Sequence, residues 1–385
     1  MKSKATPSVA IIGGGIAGCA AAIALTRAGH QVLVLEQSRS RAPAIGETLP
    51  GAAKPILRAL GAWDAFAADG HLPSPGTVSI WGGSDPAMAD SILDRNGQGW
   101  QVDRARLGQL LRRAAVAAGA VLWEDAPLAA AERRKRRWRL RVAAEGEAGT
   151  VVVDRVIDAS GRRGSFATMA GATRNYLDNL VCRHARFGRG SAGRDRDSRT
   201  WVEAVEGGWW YSVLLPGGDR AAAFLTDGDL LPEAVLSAGG FVKWLRQTEW
   251  IRRPIDKHGR ELLGSPRTLA ARSSRLKPAG GAGWVAAGDA ALSFDPLAGQ
   301  GMLLALLTGL RAAQAVMDGS EADYFRQLDS IWDGFAKMRY LTYAAEMRWP
   351  ASVFWERRAR KNALPQSREA LPATSSMPSG TPTVW

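Results

Sequence analysis

The sequence predicts an α/β fold, and three observations carry that expectation. The chain opens on an apolar strand, a glycine loop, an alanine-rich helix and a second apolar strand. Its middle holds segments in which apolar and polar residues alternate, the period of a half-buried strand. Its far end is a series of apolar helical segments. At 385 residues there is room for two modest domains or one elaborated one around a well-buried core.

Composition narrows the class. With 46% hydrophobic and 23% charged residues the chain reads as an ordinary soluble protein. No apolar run approaches the roughly 18–20 residues that cross a bilayer. Lys2 and Lys4 precede an apolar stretch, but Gly13-Gly14-Gly15 interrupts it at once, which argues against a signal peptide. A cytoplasmic location without a transmembrane segment is the expectation. Two cysteines, Cys19 and Cys182, and four scattered histidines supply neither a disulfide framework nor a usual metal-ligand set. The expected chemistry therefore uses no metal, and needs an organic cofactor or plain side chains.

The net charge of +13 is concentrated rather than spread. Seven cations fall between Arg133 and Arg141, and four more are Arg357, Arg358, Arg360 and Lys361; the remainder carries only +2. That distribution argues against a nucleic-acid partner. Trp138, Leu140 and Val142 alternate with Arg137, Arg139 and Arg141, which predicts a strand with a solvated charged face at an exposed edge or hairpin tip. A docking surface for an acidic partner is the alternative.

Residues 8–36 form the strongest motif. Ser8 to Ile12 reads as a strand, followed by Gly13-Gly14-Gly15-Ile16-Ala17-Gly18, a helix through Ala28, and a second strand, Gln31 to Leu35, ending at Glu36. Gly13 permits the tight turn, Gly15 lets a pyrophosphate approach the backbone, and Gly18 allows close packing of helix on strand. The helix N-terminus directs free N–H groups at phosphates. Glu36 is placed to accept from ribose hydroxyls.

Near the other end, Trp284 to Ala291 reads as a buried strand ending in Gly288-Asp289. It continues through Phe294-Asp295-Pro296-Leu297-Ala298-Gly299-Gln300-Gly301 into a helix from Met302. Here the chain resembles the FAD-dependent monooxygenases of the para-hydroxybenzoate hydroxylase type, a family that includes the flavin-dependent halogenases. The resemblance implies a Rossmann-like FAD-binding domain of the glutathione-reductase type, with an inserted β-sheet substrate domain and C-terminal helices. It assigns Asp289 to the ribityl chain and pyrophosphate, and sets Pro296 to Gly301 against the isoalloxazine. Arg104 (after Gln101-Val102-Asp103), the Ile157-Asp158-Ala159-Ser160-Gly161-Arg162 segment and Gly46-Glu47-Thr48-Leu49-Pro50 follow in the family's order.

The candidate cofactor-binding residues are then Gly13, Gly15, Ile16, Ala17, Gly18, Glu36, Gln37, Thr48, Arg104, Gly288, Asp289, Pro296, Gly299, Gln300 and Gly301. Residues 1–71, 101–174 and 276–320 are expected to form the FAD-binding domain. Residues 72–100 and 175–275 form the substrate sheet, 321–365 a helical segment with helices at Tyr324–Trp332 and Phe335–Arg348, and 366–385 a disordered Ser/Pro/Thr-rich tail. Gly208-Trp209-Trp210-Tyr211-Ser212-Val213-Leu214 and Arg220 to Leu225 predict a hairpin across Pro216-Gly217-Gly218-Asp219. Period two puts Trp209, Tyr211, Val213 and Leu215 on one face and Trp210, Ser212 and Leu214 on the other; either could look on the flavin.

Only one dinucleotide fingerprint is present, so electrons are expected from transient NAD(P)H or from a separate flavin reductase. The resemblance implies a flavin C4a-hydroperoxide that hydroxylates an electron-rich aromatic ring. Halogenation is disfavoured: Tyr211 stands where those enzymes carry a second tryptophan, Val213-Leu214 replaces Ile-Pro, and Val78 to Gly82 contains no lysine. Gly208 to Tyr211, Phe294 to Leu297 with Gln300-Gly301, and Arg348-Trp349-Pro350 to Phe354-Trp355 resemble flavoproteins that mature protein-derived tryptophylquinone cofactors by hydroxylating a tryptophan of a partner. Ala298-Gly299 departs from that branch, which carries two serines there. The aromatic substrate is thus a protein or peptide side chain, or alternatively a small metabolite. A non-catalytic flavoprotein maturation partner is the competing class. Glu47, Asp295, Pro296, Trp209 and Tyr211 are the candidate catalytic residues, with Asp295 alternatively a helix N-cap.

Overall fold

The computed structural model describes residues 8–38, 47–91, 94–143 and 149–359. Val9–Ile12 lies inside a six-stranded sheet in the order Gly280–Gly281, Trp284–Ala286, Arg155–Asp158, Val9–Ile12, Val32–Leu35, Val121–Trp123. Every pairing except the terminal Gly280–Gly281 hairpin is parallel. VAII and VLVL are buried at all positions, as parallel strands covered on both faces must be.

Helix Ile16–Arg27 covers this sheet, and helix Gly301–Asp318 packs directly on it. The approach depends on missing side chains. A Cβ at Gly18 would lie 1.9 Å from the Gly13 carbonyl oxygen, and one at Gly309 would lie 2.2 Å from that of Ala17. The Gly-Asp segment expected as one strand is instead strand Trp284–Ala286 and a 3-10 turn, Gly288–Ala290. Gly288 bends the chain there at φ +60°, and a Cβ at that position would lie 2.8 Å from the Ala17 Cβ.

A second, seven-stranded sheet runs Leu262–Ala270, Leu180–Phe187, Arg220–Asp227, Gly208–Leu214, Thr200–Val205, Gly76–Ile80, Ala87–Asp90. The hairpin pairs Trp209 with Leu225, Tyr211 with Ala223 and Val213 with Ala221.

Two expectations need correction. Arg137–Val142 is the middle strand of a three-stranded sheet rather than an exposed edge, while the expected hairpin tip is present at Lys135-Arg136, between Leu128–Arg134 and Arg137–Val142. Its charge lies on a face: Trp138, Leu140 and Val142 are buried and the three arginines exposed. Arg137 pairs with Asp154 at 2.9 Å and Arg134 with Glu132 at 3.1 Å. The two C-terminal helices expected over 324–348 are one, Glu321–Ala344. Gly334 costs about 1 kcal/mol in a helix interior, and the buried stripe Tyr324, Leu328, Trp332, Ala336, Tyr343 offsets it. Among the described residues no helix is long and apolar enough to cross a membrane. The tail from 366 lies outside the described residues.

Gly309→Ala should drive the two helices apart and destabilise the chain by about 1–3 kcal/mol, read as a lower urea midpoint with an unchanged slope.

Candidate active site

The glycine loop comes first. Gly13 turns at φ +104°, Gly15 is extended, and helix Ile16–Arg27 opens without a side-chain cap or an acid in its first turn. The leading N–H groups, from Ile16 and Ala17 onward, thus have no side-chain cap, a helix start whose chemistry suits an anion. Glu36 is buried at the end of its strand. Its Oε2 accepts from the Gly14 N–H at 2.8 Å and its Oε1 from the Ser38 N–H at 3.2 Å, which fixes the carboxylate against the loop. Gln37 is exposed, and its Oε1 accepts from Arg163 Nη1 at 3.1 Å.

Two further strand ends reach the same edge. Asp158 accepts from the Ser160 N–H (2.9 Å), the Ser160 hydroxyl (2.6 Å) and the Ala167 N–H (2.7 Å), and burial pushes its carboxyl above the usual range. Asp289 stands 3.6 Å from Arg162 Nε, while Arg162 donates to the carbonyls of Arg272 at 2.6 Å and Phe294 at 3.1 Å. Arg104 is the first residue of helix Arg104–Ala117, which Asp103 caps through the N–H groups of Ala105 and Arg106. A glycine cradle, an uncapped helix start and a fixed buried acid fit a bound dinucleotide.

Thr48 is engaged with the second sheet. Its hydroxyl donates to Gln101 Oε1 at 2.9 Å and lies 3.2 Å from the Thr200 hydroxyl. Gln101 Nε2 in turn donates to Ser74 and Thr200. The sequence marks Gln101 only as part of the segment leading to Arg104, because its own partners lie 27 to 99 residues away.

Packing separates the two faces of Gly208–Leu214. Trp210 packs on Phe224 and Phe241, with ring centroids 5.2 and 5.3 Å away. Trp209, Tyr211, Val213 and Leu215 share the opposite cluster with Leu297, Tyr343, Phe354 and Trp355. That second face is the one turned to the Pro296–Ala298 turn. On it the Tyr211 hydroxyl donates to Glu47 Oε2 at 3.2 Å, with both residues buried. Cys182 shares the face; burial, and then the charge of Glu47, push its thiol up, so it stays protonated and inert.

Asp295 anchors the remaining segment. Its Oδ1 accepts from the Leu297 N–H at 3.0 Å, making it the cap of the turn. Its Oδ2 accepts from the Tyr343 hydroxyl at 2.7 Å, and that hydroxyl accepts from Trp209 Nε1 at 3.0 Å. Arg339 lies 3.4 Å from Asp295 Oδ2 and 3.2 Å from Asp178 Oδ2. Burial raises the Asp295 carboxyl; Arg339 opposes that shift, but shares its charge with Asp178, which reinforces it. After the turn, Gly299 takes φ +61°, Gln300 precedes the helix, and Gly301 begins it.

Glu47 and Tyr211 thus meet directly, while Asp295 and Trp209 meet through Tyr343. Trp209 is enclosed, 6.4 Å from Trp81 between ring centroids and 1% exposed, rather than open to the site. The second basic patch is largely neutralised. Arg358 is buried on Asp227 at 2.6 Å, and Arg357 binds Asp227 and Asp229 at 3.0 and 2.7 Å. Arg360 and Lys361 lie outside the described residues. Sequence reasoning missed Tyr343, Arg339 and Asp178. The available signal was an arginine on the buried stripe of helix Glu321–Ala344, at positions 332, 336, 339 and 343.

Residues 6–182 match a family model described as FAD binding domain. The chain is an FAD-dependent oxidoreductase. It is 28% identical over 365 residues to the FAD-dependent oxidoreductase LodB of Marinomonas mediterranea, covering 92% of this chain and 97% of that protein. The flavin-dependent halogenase CmlS superposes with a TM-score of 0.81 at 25% identity, over 92% of this chain and 68% of its own. The peptidyl tryptophan dihydroxylase QhpG shares the fold, with a TM-score of 0.75 at 21% identity, over 97% of this chain and 82% of its own. The α/β architecture with its C-terminal helices is thus that of flavin-dependent halogenases and hydroxylases.

Tyr343→Phe in this oxidoreductase should leave Trp209 Nε1 and Asp295 Oδ2 short of a partner, at about 1–3 kcal/mol for each buried group, measured by urea unfolding. Asp295 also sets a pH dependence. A carboxyl whose folded pKa exceeds its unfolded value stabilises the fold at low pH, and that contribution falls as pH rises from the unfolded value of 3.8 through the raised one. Asp295→Asn should flatten this part of the stability profile, while an unchanged profile would contradict the assignment.

Proposed function

We propose that this chain is a monooxygenase that hydroxylates an electron-rich aromatic ring, namely a tryptophan side chain on a partner protein or peptide. The observation that carries the reading is the buried Tyr211–Glu47 pair, on the sheet face turned to the Asp295–Gly301 segment. The similarity to LodB along nearly the whole of both chains, and the shared fold with QhpG, support it. We further infer that Gly13, Gly15, Ile16, Ala17, Gly18, Glu36, Gln37, Arg104, Gly288 and Asp289 hold FAD, with Pro296, Gly299, Gln300 and Gly301 beside its ring. Thr48 sets the register of the loop that presents Glu47.

Bound FAD supplies oxygen activation, fed by transient NAD(P)H or a separate reductase. The chain's own residues bind, orient and dry the substrate. Val202, Val213, Ala221 and Ala223 form a buried apolar layer beside Tyr211 that keeps water from the Tyr211–Glu47 pair. The Tyr211 hydroxyl fixes the Glu47 carboxylate. When a ring carbon gains oxygen and sheds its proton to restore aromaticity, Glu47 is the acceptor in reach. Asp295 holds the turn in place through Leu297 and Tyr343 rather than acting on the substrate.

Halogenation is the second reading, favoured by the likeness to CmlS. Against it stands Gly76–Ile80, which joins the sheet beside Thr200–Val205 and, through Gly82, contains no lysine.

Co-expression with a candidate partner, followed by peptide mass spectrometry in the presence of chloride and bromide, separates these outcomes. Added oxygen on a tryptophan is the expected result. A halogen on the ring would replace hydroxylation by halogenation. Neither modification, with no substrate-stimulated oxygen consumption, would defeat both. Glu47→Gln should lower turnover by about 10²-fold while leaving FAD affinity unchanged.

A further inference from the structure

An open groove of about 470 Å³ lies against helix Ala238–Leu245, on the side of the seven-stranded sheet that carries Trp210. Its lining is Ala238, Gly239, Val242, Lys243, Arg246 and Leu262, with no acidic residue. The first five recur at the spacing of one helical face, and Leu262 comes from the edge strand Leu262–Ala270. Phe241 and Leu245 turn the other way, into the buried cluster with Trp210 and Phe224. The helix thus spends one face on the core and leaves this one open.

Two adjacent glycines in the helix differ in what requires them. A Cβ at Gly240 would lie 1.7 Å from the Ala234 carbonyl oxygen, so close packing demands glycine there. A Cβ at Gly239 would meet no atom within 4 Å, and Gly239 takes no positive φ. Glycine is the poorest helix former after proline, and the packing around position 239 does not call for it. Its effect is to leave the groove bare down to the helix backbone, so that an apolar side chain from outside can approach closely.

The charge on this surface is available as well. Lys243 is exposed and pairs with no carboxylate among the described residues. Arg246 stands 3.7 Å from Asp256 with both side chains exposed, a pairing of little strength. Apolar surface also continues beyond the groove. Leu262 packs on the Trp210 side, whereas its neighbour Leu263 turns to the opposite face and is 49% exposed. Leu269, in register with Cys182 and so on the Tyr211 face, is 42% exposed. A chain seated in the groove can therefore cross the edge strand toward the face that carries Tyr211.

We propose that this groove docks the partner polypeptide through a segment in which apolar and acidic residues alternate. An apolar side chain lies over Gly239, and flanking carboxylates meet Lys243 and Arg246. The inference rests on the proposed hydroxylation of a partner's tryptophan, and adds where the partner is held while that tryptophan is presented.

The test uses the FAD-loaded full chain and a short fluorescein-labelled peptide of alternating leucine and glutamate. A leucine–lysine peptide is the charge-reversed control. The glutamate peptide should bind about tenfold or more tightly than the lysine one, and the double variant Lys243→Glu, Arg246→Glu should reverse that order. Gly239→Leu fills the groove without touching the core. It should unfold in urea no earlier than the wild type, yet bind the glutamate peptide about tenfold more weakly. No binding of the glutamate peptide up to its solubility overturns the proposal. So does equal binding of the two peptides, or undiminished binding in Gly239→Leu. A concentration-dependent dimer that Gly239→Leu abolishes would give the groove to a second copy of this chain, and would also overturn it. A partner tryptophan that gains oxygen in Gly239→Leu as readily as in the wild type sinks this inference alone. Peptide binding that Gly239→Leu removes, with no oxygen gain on any partner tryptophan, upholds the docking site and sinks the proposed reaction.

Discussion

The buried Asp295 carboxylate is the joint on which the candidate site depends. Its two oxygens reach three parts of the chain: the Leu297 N–H within its own turn, the Tyr343 hydroxyl on the long C-terminal helix, and the Arg339 guanidinium one turn earlier. Through Tyr343 the same contact extends to Trp209 on the central hairpin. A carboxylate this deep is tolerated only with paired charge and satisfied oxygens. The network therefore fixes the relative placement of the turn, the helix and the hairpin strand. Removing any one member exposes the others to the cost of burial.

That placement explains why the C-terminal helices matter to a site built mostly by earlier segments. Arg358 reaches back to Asp227 at the end of strand Arg220–Asp227. Trp81 donates to the Thr342 carbonyl at 2.7 Å and packs on Trp355 at 5.2 Å. The aromatic cluster of Trp81, Trp209, Tyr343 and Trp355 is a clamp between sheet and helices. Trp209 is tied to the clamp through its bond to Tyr343, whereas Tyr211, two residues on, directs its hydroxyl to Glu47.

Much of the fold was legible because its signals are local. The first strand, glycine loop, helix and second strand were readable to within a few residues, since turn chemistry and buried runs leave marks at short range. The hairpin around Pro216 to Asp219 was legible for the same reason. What escaped depends on distance along the chain. Trp209 and Trp210 are equally bulky, so only Phe224 and Phe241 beneath Trp210 tell the faces apart. The partnership of Asp295 with Tyr343 spans 48 residues, and that of Thr48 with Thr200 spans 152. The two helices expected at Tyr324–Trp332 and Phe335–Arg348 are continuous because the packed stripe of Leu328, Trp332 and Ala336 carries the helix through Gly334.

The proposed function requires the sheet face bearing Tyr211, with Glu47 against it, rather than the face bearing Trp210, to look on the flavin across the Asp295 turn. A crystal structure of the FAD complex measures this directly. The expected result is the isoalloxazine against Pro296 to Gly301, with Tyr211 and Glu47 across a gap the thickness of one aromatic ring. A ring lying on the Trp210 face, or turned away from the Asp295 turn, would contradict it.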